Sequence, residues 1–247
     1  MMIIDAKNLY YKDLNQQIRN KIIAGETHFK LINVLGHRYI GDGIGNGVKI
    51  EVEGIAGNDM GAFMNGAEII VHGNAQDGIA NTMNSGTIIV HGQAGDTLCY
   101  GMRGGKVFIR EDVGYRVGIH MKEYKNQIPV LIIGGKGGNF LGEYMAGGIL
   151  ILLGLTIKSE KEYIAGDYFG TGMHGGVIYS RLEAPEKSIG KEVTKFKVDE
   201  NDINILKTNI TEFCNIFKID FKTFDLSKFY KYMPVSKRPY GRLYVNA

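Results

Sequence analysis

Two glycine-rich stretches are the first candidates for phosphate chemistry in this chain. A Walker loop requires Gly-x4-Gly-Lys-Ser/Thr, whereas Lys136 is followed by Gly137. The stretch from Gly41 to Gly45 departs from the dinucleotide-binding Gly-x-Gly-x-x-Gly because Asn46 occupies the last glycine position. Neither stretch therefore predicts a nucleotide site.

Histidine and cysteine could supply metal or nucleophile chemistry, but their spacing favours neither. His72 and His91 occupy equivalent positions of a repeat, and Arg110 holds the next one. A metal site needs three or four ligands, and the arginine cation would repel the metal instead of supplying the third. We therefore favour a pair of stacked histidines on the surface. Cys99 falls among small residues with no His or acid placed beside it, which favours packing over nucleophilic attack. We expect no catalytic residue, no metal ligand and no cofactor-binding residue, and two cysteines cannot ligate an iron–sulfur centre.

Composition narrows the class of protein to a soluble globular chain. Its 247 residues include 35 Gly but only 4 Pro, which excludes collagen-like and low-complexity sequences. A net charge of +3 gives no support for nucleic acid or an acidic membrane as a partner. Two cysteines cannot form a disulfide framework. No apolar run is long enough to span a membrane. The N-terminus becomes charged too early for a signal peptide. We therefore expect a cytoplasmic protein.

The residues considered above lie on an internal repeat. Blocks that begin at Gly54, Gly73 and Gly92 each span 19 residues without a gap. The pattern resumes after extra residues within 122–129 and within 155–164, which gives about seven repeats in all. The recurring glycines and methionines are Gly57, Gly61, Met64, Gly95, Met102, Gly114, Gly118, Met121, Gly138, Gly142, Met145, Gly166, Gly170 and Met173. We predict that these residues are structural, with small residues at a tight corner and methionines filling the interior.

Each repeat also carries one apolar, β-branched run, which predicts a strand. A unit of this length is too short for paired helices. The pattern therefore predicts an all-β fold, a single-stranded right-handed parallel β-helix of about seven coils, with short flanking α-helices at both ends. Two ladders are predicted to point inward: Ile50, Ile69, Ile88, Val107, Leu131, Leu150 and Ile178, and Val52, Val71, Val90, Ile109, Ile133 and Leu152. Asn58, Asp77, Asp96, Asn139 and Asp167 are predicted to cap turns and to bond one another.

Glycine content divides the chain into three segments. Residues 1–35 are predicted to form an N-terminal cap, with a helix near 12–24 and a strand over 28–34. Residues 36–181 hold the repeats. Residues 182–247 are predicted to hold a helix from the acidic stretch 199–202 to Phe217, a second short helix near 225–232, and an extended tail.

The predicted strands are apolar on their outer as well as their inner face. The outer positions are Ile70, Ile89, Phe108, Ile132, Ile151 and Tyr179. Parallel sheets with two apolar faces are covered on both. We therefore predict an interface here, with one portion covered by the chain's own helices and the rest by a partner protein.

Three stretches of the chain carry a familiar pattern: Asn33 to Gly41, Gly54 to Phe63, and Glu143-Tyr144-Met145 with the glycines that follow it. They resemble the C-terminal GXGXG domain of the glutamate synthase large subunit. The first stretch resembles the first coil of that family, the second resembles its Gly-x-Ala-Gly coil, and the third is the most specific. The resemblance covers roughly 33–181; residues 122–129 depart from the family pattern, and 182–247 carry no family signature.

The resemblance implies a non-catalytic β-helix that joins a glutamine amidotransferase to a flavin and iron–sulfur synthase in glutamate biosynthesis. It implies a stand-alone, archaeal-type subunit that meets both partners in trans, as part of an oxidoreductase complex of nitrogen metabolism. The chain would hold no cofactor and would not be catalytic alone.

Two alternatives stay open at this point. Formylmethanofuran dehydrogenase includes a subunit with a similar glycine-repeat β-helix, although the coils that contain Arg38 and Glu143 favour glutamate synthase. The other alternative is a free-standing β-helix that binds carbohydrate or forms a homo-oligomeric scaffold. Neighbouring genes would separate these alternatives.

Overall fold

The computed structural model describes residues 1–159 and 161–235. In this part of the chain, eleven strands form one sheet that winds as a β-solenoid of about six turns. The strands are β1 (Met2–Asp5), β2 (His28–His37), β3 (Lys49–Ala56), β4 (Asn65–Val71), β5 (Ser85–Val90), β6 (Lys106–Ile109), β7 (Val130–Ile133), β8 (Ala146–Leu152), β9 (Gly175–Ser180), β10 (Val193–Lys197) and β11 (Tyr230–Pro234). Two helices accompany them, α1 (Tyr11–Ile23) and α2 (Glu200–Phe217), with single 3-10 turns at Glu186–Ser188, Phe221–Thr223 and Leu226–Lys228.

The strand order confirms the predicted parallel solenoid. Strands β1 to β9 pair in chain order, and each pair is parallel. The seven repeat strands β3 to β9 mark seven equivalent points, and six turns separate the first from the last. Strands from all three predicted segments join this one sheet.

The solenoid interior contains the two predicted inward ladders. Ile50 pairs with Ile69, Ile69 with Ile88, and the same register continues to Ile178. All thirteen residues of the two ladders have 0% exposure. A fixed repeat length produces this result, because it returns each apolar side chain to the same place one strand spacing further along the axis.

The N-terminal cap covers the first coil. Strand β1 pairs with β2, and α1 buries Leu14 and Ile18 in the same apolar cluster as Phe29. Helix α1 begins and ends within one residue of the predicted limits. None of the helices in the described residues is long and apolar enough to cross a membrane.

Helix α2 lies across the outer face of the sheet. It begins at a capping box in which the side chains of Asp199 and Asp202 each accept the other's backbone N–H at 2.9 Å. Its apolar side chains form a second cluster with the sheet, and Phe213 and Phe217 pack edge to face at 4.7 Å within that cluster. The Lys106 ammonium also pairs with the Glu212 carboxylate.

This packing corrects the predicted partner interface. Phe108, Ile132 and Ile151 are 0% exposed, and Ile89 and Tyr179 are also buried. Ile70, at the edge of the same cluster, is partly buried against it. The predicted interface at Ile70, Ile89, Phe108, Ile132, Ile151 and Tyr179 is therefore wrong for the five buried positions, because α2 and the segment after it cover them.

The second helix predicted near 225–232 is also wrong. Residues Leu226–Lys228 form a single 3-10 turn, and Tyr230–Pro234 form β11, which pairs antiparallel with both β9 and β10. Strand β9 ends the parallel stack and offers unpaired backbone groups, so hydrogen bonding at this edge overrides local helical spacing. Tyr232 is fully buried there, and its hydroxyl accepts a hydrogen bond from the Ala184 N–H. The predicted tail beyond residue 235 lies outside the described residues.

Candidate functional site

The repeat methionines and both cysteines are buried. Met64, Met102, Met121, Met145 and Met173 have 0% exposure. Cys99 is also fully buried, and burial raises the pKa of its thiol. Burial raises the pKa of the Cys214 thiol as well, with a smaller contribution from Asp220. Raised pKa values keep both sulfurs protonated and unreactive, in agreement with packing as the role of Cys99.

The two histidines of the repeat stack on the outer face of the sheet. The rings of His72 and His91 lie 5.3 Å apart, and His91 also meets the edge of Phe217 at 5.2 Å. Burial lowers the pKa of His91, and the neighbouring His72 and Arg110 lower it further. Glu53 lies one repeat before His72 and pairs with Lys30, whereas Glu51 Oε2 lies 3.6 Å from His72 Nε2, so carboxylates do lie near the first histidine. Across the residues that the structure describes, no group of three His, Cys, Asp or Glu side chains could hold a metal.

The Asx side chains of the repeat join successive coils. Asp77 Oδ1 accepts the backbone N–H of Asp96 at 2.9 Å, and Asp96 Oδ1 accepts that of Tyr115 at 2.7 Å. Asn139 Oδ1 accepts the backbone N–H of Asp167 at 2.9 Å. The prediction that these residues cap turns needs this correction: each of these three bonds the backbone of the next coil instead of its own turn.

The residues that directly follow the Asx position in each coil have an unusual backbone. Each coil contains five residues in which the first, third and fifth have left-handed φ, as in Phe140 (61°), Gly142 (70°) and Tyr144 (52°). We call the segments 39–43, 59–63, 78–82, 97–101, 116–120, 140–144 and 168–172 the left-handed edge. Its middle residue is glycine, alanine or cysteine, whereas large side chains stand at many of its first and fifth positions. Left-handed φ at non-glycine residues costs roughly 1–2 kcal/mol each and, in many proteins, marks functional sites.

Aromatic and basic side chains line a shallow groove beside this edge. His120 stacks on Tyr144 with ring centroids 5.4 Å apart and meets Tyr100 edge to face at 5.7 Å. The groove has a volume of about 410 Å³. It is lined by Thr82, Tyr100, Gly101, Arg103, His120, Lys122, Tyr144, Ala146 and His174, with no carboxylate among them.

A half-buried ion pair joins the two segments of the left-handed edge that carry His120 and Tyr144. Arg116 Nη1 donates to Glu143 Oε2 at 2.5 Å, and the Glu143 side chain is only 8% exposed. The guanidinium of Arg116 also lies 4.6 Å from the centre of the Phe140 ring, which stacks on Tyr168 at 4.5 Å. Glu143, which belongs to the most specific family stretch, therefore joins two coils and holds the segment that carries Tyr144.

The groove residues were not among the predicted site residues, although the repeat contained a signal for them. The residue after each ladder methionine forms a column of its own: Asn65, Asn84, Arg103, Lys122, Ala146 and His174. Arg103 and Lys122 thus hold equivalent positions of consecutive coils. The repeat itself is recognised at positions where the coils share a residue type. The column after the methionines points to the groove for the opposite reason, because its residue types differ from coil to coil.

Two comparisons with known proteins gave matches over nearly the whole chain. The family described as GXGXG motif matches residues 7–237. The chain is also similar to MJ1350 of Methanocaldococcus jannaschii, an uncharacterized protein. The two are 47% identical over 250 residues, which cover 98% of this chain and 96% of that protein.

Proposed function

Because the chain belongs to the GXGXG motif family, that of the C-terminal domain of the glutamate synthase large subunit, we propose that it is a structural subunit of a glutamate synthase. It bridges a glutamine amidotransferase and a flavin and iron–sulfur synthase subunit in the cytoplasm. Both partners bind in trans, and the complex, an oxidoreductase, makes glutamate. The chain itself supplies neither a catalytic residue nor a cofactor.

The family match over residues 7–237 is the observation that carries this proposal. It extends well beyond the 33–181 covered by the sequence resemblance and includes both flanking helices, α1 and α2. The use of polar side chains in the repeat supports a scaffold, because Asp77, Asp96, Asn139 and Glu143 are each engaged in a contact between coils.

The solenoid has a shape suited to holding two partners at a fixed separation. Six turns at a strand spacing of about 4.8 Å give a rod about 29 Å long. Continuous hydrogen bonding and an interior of fully buried ladders make such a rod stiff. A stiff spacer positions a source of ammonia relative to the site that consumes it, which is the task of a bridging subunit.

Co-expression with candidate partners from the same genome tests the proposal. We expect the chain to co-purify with the amidotransferase and with the flavin and iron–sulfur subunit. We also expect glutamate to form from glutamine and 2-oxoglutarate only when all three are present. The purified chain alone is the control and should be colourless and inactive.

Two results would contradict the proposal. Glutamine-dependent glutamate formation by the chain alone would show that it is an enzyme. Co-purification with molybdopterin-enzyme subunits instead would favour the formylmethanofuran dehydrogenase alternative, and a chain that associates only with itself would favour a homo-oligomeric scaffold.

A further inference from the structure

The groove beside the left-handed edge concentrates positive charge. Arg103 and Lys122 are equivalent residues of consecutive coils, and the Lys122 N–H donates to Met102 O, the carbonyl just before Arg103. Their backbones are therefore about one strand spacing, roughly 4.8 Å, apart. Like charges at such neighbouring positions repel each other. His174 adds a further basic side chain to the same groove.

This charge is not compensated within the part of the chain that the structure describes. Neither Arg103 nor Lys122 takes part in an ion pair among those residues. The nearest carboxylate in sequence, Glu123, instead accepts the Gly148 N–H at 3.1 Å. An anion bound in the groove would relieve the repulsion.

The aromatic side chains of the groove are held in place and remain exposed. Tyr100 is 43% and Tyr144 is 38% exposed although both contact His120. Tyr144 and His120 also have left-handed φ, so their backbone is held in an uncommon conformation. Fixed aromatic rings next to arginine are typical of the contact residues at protein interfaces.

We propose that this groove binds an extended acidic segment of a partner subunit, an inference that rests on the proposed bridging function. Carboxylates of the segment pair with Arg103 and Lys122, and its apolar atoms pack on Tyr100 and Tyr144. The partner surface thus lies at the left-handed edge and not under α2.

The length of the exposed edge favours a protein segment over a small ligand. Phe63, at the same position two coils before Gly101, is 55% exposed and extends the aromatic surface beyond the groove. From Phe63 to Tyr144 the column rises four coils, about 19 Å, which an extended peptide of about six residues would span. A free dicarboxylate would occupy only the part between Arg103 and Lys122.

Binding of hexaglutamate to the full chain tests the groove directly. Binding is followed by NMR through the His120 ring signal, which His120→Gln identifies. We expect Arg103→Glu with Lys122→Glu to weaken binding at least about tenfold. The matched control, Lys12→Glu with Lys21→Glu on exposed positions of α1, changes net charge equally and should change affinity less than about twofold.

Several outcomes would overturn the inference. If both pairs of substitutions weakened hexaglutamate binding equally, the affinity would depend only on the net charge of the chain and not on the groove. Saturation of the His120 shift by free glutamate at the same concentration would indicate a small-carboxylate site, and tighter binding of hexathymidylate would indicate nucleic acid. If the charge reversal disturbs folding, Arg103→Gln with Lys122→Gln replaces it, and its melting temperature should equal or exceed that of the wild type.

The assembled complex provides the second test. In co-purification at about 0.15 M salt, the Arg103→Glu and Lys122→Glu chain should lose one partner that the Lys12→Glu and Lys21→Glu chain keeps. Retention of every partner by the groove variant would overturn the inference and leave the proposed function intact. Failure of the wild-type chain to bind any partner would contradict the proposed function, whereas the hexaglutamate titration would still decide whether the groove binds acidic segments.

Discussion

The carboxylate of Asp77 occupies the space that a side chain on Gly95 would need. A Cβ atom on Gly95 would lie 2.0 Å from Asp77 Oδ1, the same oxygen that accepts the Asp96 N–H. The next coil repeats the relationship, since a Cβ on Gly114 would lie 1.9 Å from Asp96 Oδ1. The glycine of one coil and the Asx residue of the preceding coil are therefore a matched pair.

This pairing predicts that substitutions at Gly95 and Asp77 are coupled. Gly95→Ala should lower the free energy of unfolding by about 1–3 kcal/mol, because it displaces a hydrogen-bonded carboxylate. In an Asp77→Ala background the oxygen is gone, so the same substitution should cost at least about 1 kcal/mol less. Urea unfolding of the four chains of this cycle measures the coupling. Additive losses would mean that backbone crowding, and not the carboxylate, excludes a side chain at Gly95.

The middle position of the left-handed edge should tolerate alanine but not valine. Gly142 has φ +70°, and a Cβ there would lie 2.6 Å from Ile178 Cδ1. Ala80 and Cys99 hold the same position with φ 62° and 59°, so small side chains are accommodated in other coils. We expect Gly142→Val to cost about 2–4 kcal/mol and Gly142→Ala about 1–2 kcal/mol. Thermal melts compare the two, and equal losses would show that backbone strain alone sets the cost.

The interior could be predicted from sequence because a constant repeat fixes strand register. Once Ile50 and Ile69 are aligned, the whole inward ladder and its burial follow. The hydrogen-bond partners of the Asx side chains could not be predicted, because the sequence does not show whether Asp77 bonds the backbone of its own turn or that of the next coil.

The outer surface was less predictable, because it depends on elements that the repeat does not contain. The apolar outer strip is visible in the sequence at Phe108 and its equivalents, but only the fold shows that α2 is long enough to cover it. Local spacing predicts a helix in the region where β11 forms. The prediction fails because β11 pairs with β9, a contact between distant segments that local spacing does not show. The groove is hidden in the sequence because Arg103 and Lys122 become neighbours only when the coils are stacked.

The attachment of α2 to the sheet should weaken in acid. The Asp202 carboxylate accepts hydrogen bonds from the Tyr179 hydroxyl at 2.5 Å and from the Lys231 ammonium at 2.8 Å. Burial raises the pKa of Asp202, but the hydrogen bonds from Lys231 and Tyr179 outweigh it and hold the pKa below its ordinary value. A lowered folded pKa contributes stability above the unfolded pKa of about 3.9, and this contribution is lost as pH falls through the folded pKa.

Asp202→Asn tests this contribution. It should lower the free energy of unfolding by about 1–3 kcal/mol at pH 7, because Lys231 loses its buried charge partner, and the loss should shrink toward pH 3. Asp13→Asn, at an exposed position of α1, is the control. Urea unfolding between pH 7 and pH 3 provides the measurement. A loss that stays constant over this range would show that Asp202 acts only through its capping hydrogen bonds.

The cover that α2 forms predicts opposite results for two phenylalanine substitutions. Phe108 is 0% exposed beneath α2, whereas Phe63 on the left-handed edge is 55% exposed. Phe108→Glu would bury an unpaired carboxylate, so we expect a loss above about 4 kcal/mol, and with Ile132→Glu a chain that does not fold. Phe63→Glu should change stability by less than about 1 kcal/mol, since its side chain stays in water. Melts followed by circular dichroism, with gel filtration of each variant, distinguish these results. If Phe108→Glu kept the wild-type melting temperature and lost only its binding partner, α2 would have to leave the sheet readily, and the outer strip would again be the surface at which the partner binds.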